Sequence, residues 1–157
     1  MQPFKRILAP TDFSEPSYRA IDDAAALARQ TGAELVIVHV TQIVPPIVGV
    51  PPFPEYTAFN VGQYEEAIRE NAESTLREVT ARPALQGVNV RTALRRGNAA
   101  DEIVAEAKAE GADLIVIATH GVTGWRRYIF GSVTDRVLRL ADVPVLVTPT
   151  EEPADHA

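Results

Sequence analysis

The sequence predicts one doubly wound α/β domain: a five-stranded parallel sheet in the order 3-2-1-4-5, with helices on both faces. Three observations predict it. Strand-like and helix-like segments alternate along the chain as β-α-β-α-β-α-β-α-β, an order that implies parallel strands joined by right-handed crossovers. Two of the strand segments, Glu34–Val40 and Leu114–Ala118, are almost unbroken apolar runs, as expected where both faces of a sheet are covered. The chain is 157 residues long and carries no internal repeat, a length at which one domain buries roughly 70% of its unfolded surface. The domain is expected over residues 1–149, with 150–157 a frayed acidic tail.

Each element has its own local reason. Lys5–Pro10 reads as a short first strand stopped by its proline. Ser14 is a good helix N-cap, and Pro16 is tolerated in a first turn because its missing N–H has no partner there anyway. Ala20, Ile21, Ala24, Leu27 and Ala28 then recur at helical spacing until Gly32 stops the helix. Glu34–Val40 is the second strand. Residues 41–59 carry Pro45, Pro46, Pro51, Pro52 and Pro54, which exclude a helix or a central strand and leave a long loop. Gly62–Ala81 reads as a charged helix with an apolar stripe at Ala67, Ile68, Ala72, Leu76 and Val79.

Val88–Leu94 alternates with period two, which suits a strand nearer the edge of the sheet. Gly97-Asn98 opens a helix over Ala99–Ala109, with Ile103, Val104 and Ala107 as its buried positions. Leu114–Ala118 is the most apolar strand, followed by a glycine-containing loop, Thr119–Phe130. Gly131-Ser132 then starts a helix carrying Val133, Val137, Leu138 and Leu140, and Val143–Val147 is a last short strand with a proline near its start.

Composition removes several function classes. The net charge is −6 at pH 7, and basic residues cluster only at Arg91/Arg95/Arg96 and Arg126/Arg127, too few to track a phosphate backbone, so no nucleic acid is expected as partner. No apolar run approaches the ~20 residues that span a bilayer, and the start of the chain has no signal-like apolar region; no membrane association and a cytoplasmic location are expected. Cysteine is absent, which excludes disulfides and thiolate chemistry. His39, His120 and His156 have no metal-ligand spacing. The chain lacks the Gly-x-x-x-x-Gly-Lys-Ser/Thr phosphate loop, the Gly-x-Gly-x-x-Gly dinucleotide fingerprint and the Gly-x-Ser-x-Gly elbow.

In a doubly wound sheet, ligands sit beyond the carboxyl ends of the strands where the strand order reverses. If strands one and four are the central neighbours, Pro10-Thr11-Asp12 and the stretch from Ala118 meet there. The stretch Ala118–Thr134 has the parts of a phosphate site: Gly121 and Gly124 allow backbone N–H groups close to an anion, and Ser132 at a helix start adds a hydroxyl and the positive end of the dipole. The plainer reading is equally open: turn glycines, and Ser132 as an N-cap with Asp135 completing a capping box. Asp12 suits a ribose or adenine contact, or an Asx turn. Val40 offers a backbone edge to a base, or is plain core. Trp125 reads as a packing or partner surface.

Three segments together resemble the universal stress protein (UspA-like) family: Ile7-Leu8-Ala9-Pro10-Thr11-Asp12-Phe13-Ser14, then Gly111 through Gly121, then Gly131-Ser132-Val133-Thr134-Asp135-Arg136-Val137-Leu138 with Pro144-Val145-Leu146-Val147. Nucleotide-binding members carry Gly, two residues, Gly, nine residues, then Gly followed by Ser or Thr. Gly121, nine residues and Gly131-Ser132 match the second half of that pattern, while Ala118 stands in the place of the first glycine.

The resemblance implies ATP or another adenine nucleotide, with Pro10, Thr11, Asp12 and Val40 around adenine and ribose. It implies Ala118, Thr119, His120, Gly121, Val122, Thr123 and Gly124, with Gly131, Ser132, Val133 and Thr134, around the phosphates, and Mg2+ or Mn2+ bridging their oxygens. It also implies a homodimer through the edge strand Val143–Val147. The function expected is a nucleotide-dependent stress-response or signalling module. A slow ATPase or phosphotransferase, or an adaptor dimer without nucleotide, is the alternative; Asp12 and His120 are the nearby candidates for a general base.

Overall fold

A computed structural model of the chain describes residues 3–43, 61–120 and 130–149. In chain order these form β1 (Arg6–Thr11), α1 (Glu15–Thr31), β2 (Glu34–Thr41), α2 (Val61–Thr80), a 3-10 turn at Pro83–Leu85, β3 (Val90–Arg96), α3 (Ala99–Glu110), β4 (Leu114–Ala118), α4 (Ser132–Leu140) and β5 (Val145–Thr148). The sheet is parallel throughout, in the order β3-β2-β1-β4-β5, as the sequence predicts.

The near-continuous apolar runs become two cores, because successive side chains of a strand point to opposite faces. Ile7, Ala9, Leu35, Ile37, Leu114 and Val116 pack with α1 and α2 on one face. Leu8, Val36, Val38, Ile115 and Ile117 pack with α3 and α4 on the other. Each fully buried aliphatic side chain contributes about 1.5–3 kcal/mol of transfer free energy, so the two covered faces hold the layers together. The small residues Ala20, Ala24, Ala25 and Ala28 let α1 lie close on the sheet.

The helix ends follow local chemistry. Ser14 caps α1, with Ser17 N–H directed at its Oγ, and Gly32 closes the helix in the left-handed region at φ 74°. Asn98 caps α3 and Gly111, at φ 65°, ends it.

Several strand boundaries differ from expectation. Pro10 does not stop β1; it pairs in register with Val38 and the strand runs on to Thr11. The reason is directional. Glu34 N–H donates to Lys5 C=O, so alternate residues of β1 face β2, and Pro10 faces β4 instead. The β1–β4 register ends at Leu8↔Ile115, so the missing N–H falls where that ladder has already parted. β3 begins at Val90 rather than Val88, because Val88 N–H is taken by Leu85 C=O in the preceding turn. Similarly, β5 begins after Pro144, whose carbonyl accepts from Ile115 N–H.

Candidate functional site

β1 feeds α1 on one face of the sheet and β4 feeds α4 on the other, so the two connections diverge and leave a crevice between the strand ends. The β1–β4 register ends at Leu8↔Ile115, so the strands have parted before Pro10. The crevice holds a cavity of about 110 Å³, and its wall is mostly apolar. Pro10, Thr11 and Asp12 line it from β1 and the turn beyond; Val40 lines it from β2; Ala118 and His120 line it from the β4 end; Val133 and Thr134 line it from α4. The fold thus brings together eight of the residues singled out from sequence. Val38, Ile117, Ala99, Ile103 and Ser17 complete the wall.

Those five were missed by sequence reasoning. For Val38 and Ile117 a signal existed: each lies two residues past Val36 and Ile115 on the α3/α4 face, near the carboxyl end of its strand. For Ala99, Ile103 and Ser17 no local signal exists, since the lean of their helices over the crevice is a tertiary property.

Val40 packs partly on the core and turns its backbone toward β1. Alternate residues of β2 face β1, Val40 among them, and β1 ends at the pair Thr11↔His39. The Val40 carbonyl therefore points past the end of β1, where it can accept from an amino group. Asp12 behaves as an Asx turn: its Oδ1 accepts from Ser14 N–H at 3.0 Å and from the Ser14 hydroxyl. The carboxylate nonetheless stands at the cavity rim. The Thr11 side chain is buried, its hydroxyl paired with Ser17 Oγ at 2.8 Å and accepting from Phe13 N–H at 3.0 Å. Burial is the main influence on His39, pushing its imidazole below the ordinary value; the Thr11 carbonyl and the Asp12 charge pull weakly the other way.

The start of α4 departs from the plainer reading. Gly131, not Ser132, is the N-cap; among the described residues no side chain caps the helix, and Asp135 pairs with Arg139 instead of closing a capping box. The reason is that the loop enters through the Gly131 N–H bond to Thr119 C=O at 2.8 Å, which sets Ser132 inside the first turn. Among the described residues, its first N–H groups carry no side-chain cap. Thr134 has a different use: its buried hydroxyl donates to the Ala118 carbonyl at 2.8 Å, pinning α4 to the end of β4. That proton is committed to the protein.

Beside the cavity, sharing Ala99 and Val133 with it, opens a more polar hollow of about 610 Å³ against the first turns of α3 and α4. Asn98, Ser132 and Arg136 face it, and Arg136 reaches across to Asp101 with contacts of 2.9–3.1 Å. A third hollow, of about 300 Å³, lies away from the crevice between α2 and the ends of β2 and β3. Its charges, Arg96 with Glu65 and Arg69 with Glu66, are paired with one another. Gly121, Val122, Thr123 and Gly124, with Trp125, Arg126 and Arg127, lie outside the described residues, as do most of 41–59 and the tail 150–157.

Residues 3–149 match the universal stress protein family. The chain belongs to that family. A universal stress protein of Methanocaldococcus jannaschii, MJ0531, is 35% identical over 144 residues, covering 92% of this chain and 81% of the relative. Among solved structures, the M. jannaschii protein MJ0577 aligns with a TM-score of 0.78 at 26% identity, covering 96% of this chain and 99% of that one. A universal stress protein crystallised in complex with cAMP aligns with a TM-score of 0.65 at 24% identity, covering 93% and 97%, which speaks to the fold. Among the described residues, no helix of this universal stress protein is long and apolar enough to cross a membrane.

Proposed function

We propose that this universal stress protein binds an adenine nucleotide, ATP with Mg2+ or Mn2+, at the β1–β4 crevice, and works as a nucleotide-dependent stress-response module and homodimer. The observation that carries the reading is the pairing of two unlike spaces at the strand-order reversal. A small apolar cavity suits a base, and a wider polar hollow beside it meets the first turn of α4, where no described side chain caps the helix. Adenine fits against Pro10 and Val133 with the Val40 carbonyl at its edge, Asp12 at the ribose, and the phosphates toward Gly131-Ser132.

The metal belongs to the ligand in this reading. Among the described residues, no three His, Cys, Asp or Glu side chains gather as a metal site, so a divalent ion would be held through the phosphate oxygens. Thr134 acts by holding Ala118 rather than by touching phosphate.

The deciding experiment is to denature the purified protein, remove it, and identify released nucleotides by chromatography, alongside a thermal melt in millimolar ATP and Mg2+. A copurified adenine nucleotide, or a melting point raised as saturating ligand raises it, is the expected result. No nucleotide and no shift would leave the adaptor reading in its place.

A further inference from the structure

We propose that His39 is the positioning residue of this site: it fixes the turn Thr11–Ser14 in the shape that presents Asp12 and the Thr11–Asp12 backbone to a nucleotide. The inference deepens the reading above and rests on it. His39 lies directly across from Thr11 in the β1–β2 register. Its Nδ1 is 2.8 Å from the Thr11 carbonyl, so the tautomer protonated at Nδ1 donates there. Its ring stacks on Phe13, with centroids 4.1 Å apart and an interplanar angle of 25°.

Phe13 is what makes this contact consequential. It has φ 64°, the left-handed region that a residue with a Cβ rarely adopts and that persists only where neighbours enforce it. That reversal turns the chain out of β1 so that Phe13 packs toward α1 and α2 while Asp12 stands at the cavity rim on the other side. Other bonds of the turn run within it or to α1, among them Phe13 N–H to Thr11 Oγ1, Ser14 N–H to Asp12 Oδ1, and Thr11 with Ser17. His39 ties the turn to the neighbouring strand, holding one end by a hydrogen bond and bracing the strained residue by stacking. Burial pushes the imidazole below its ordinary value and so favours the neutral ring, in which the Thr11 carbonyl selects the tautomer protonated at Nδ1.

The test compares His39→Ala, His39→Asn and His39→Phe in the full chain. Asn places an N–H close to where Nδ1 stood; Phe restores the ring without the donor. Two readouts are taken: ATP–Mg2+ affinity by calorimetry, and the strong intraresidue amide–Hα contact of Phe13 that reports positive φ by NMR. His39→Ala is expected to lose the Phe13 signature and roughly tenfold in affinity, the scale of one lost hydrogen bond with its alignment. His39→Asn is expected to recover most of both and His39→Phe to recover less, all three unfolding cooperatively. Retention of the signature and of affinity within about twofold in His39→Ala would overturn the inference. If the wild type itself does not bind ATP, the proposed function fails, and the Phe13 signature still decides whether His39 sets the turn.

Discussion

Gly131 separates what the fold needs from what a ligand needs. Its φ is −58°, and a Cβ built there meets the Thr119 carbonyl at 3.5 Å and His120 Cα at 3.8 Å, ordinary contacts. Gly32 and Gly111 differ, for their left-handed backbones select glycine whatever the space. Among the described residues nothing demands a glycine at 131, whereas a phosphate oxygen at the first N–H groups of α4, as proposed, would. Gly131→Ala is therefore expected to lower unfolding stability by about 1 kcal/mol at most, while ATP affinity falls roughly tenfold or more. Calorimetry and urea unfolding on the same preparation check it, and unchanged affinity would remove the phosphates from the start of α4.

His39 makes a second prediction at this scale. Burial lowers its folded value below the unfolded one near 6.5, so between the two the unfolded chain binds more protons. The stability held by neutral His39 is complete above about pH 6.5 and is lost as pH falls through the folded value. Urea midpoints of the wild type should drop across this window more than those of His39→Asn; parallel curves would show that His39 titrates alike in both states.

At the scale of elements, the β4–α4 junction depends on one side chain. Thr134 is 4% exposed and donates to the carbonyl of Ala118, itself 5% exposed. Thr134→Val keeps the shape and removes the donor, leaving a buried carbonyl unpaired at a loss of about 1–3 kcal/mol. Nucleotide affinity should fall with it, as the start of α4 is no longer held, and Thr134→Ser should restore both. A Val variant as stable as the wild type would mean that packing alone docks the helix.

This junction also marks where the sequence stops being readable. Helix ends written in one residue, such as Ser14, Gly32 and Asn98, were legible because their causes are local. Pro10 was misread as a stop since its tolerance depends on which neighbour its missing N–H faces. Ser132 was read as a possible cap, but the cap position was set by Thr119, twelve residues earlier in the chain. In the site, the strand-end residues Thr11, Asp12, Val40 and Ala118 could be located from the alternation of elements alone. Ile103 and Ala99 could not, since helix packing places them.

At the scale of the whole molecule, the described residues leave one apolar edge of the sheet open. β3, the edge on one side, carries Arg91, Arg95 and Arg96, tied by ion pairs to Glu34 and Glu110, to buried Glu106 and to Glu65. Charge of this kind discourages further strand pairing. β5, on the other side, carries no charged residue, and Leu146 at its middle is 45% exposed; Leu138 and Leu140 of the adjoining α4 are exposed as well. Pro144 precedes the strand, so it leaves the free ladder of Val145–Thr148 intact. An edge like this pairs with a second copy by hydrogen-bonding strand to strand and covering the leucines. The expected outcome is a dimer by sedimentation equilibrium at micromolar concentration, and Leu146→Asp should give a monomer whose own unfolding is little changed, because the side chain already faces water in the single chain. A Leu146→Asp variant that sediments as the wild type does would place any association elsewhere on the molecule.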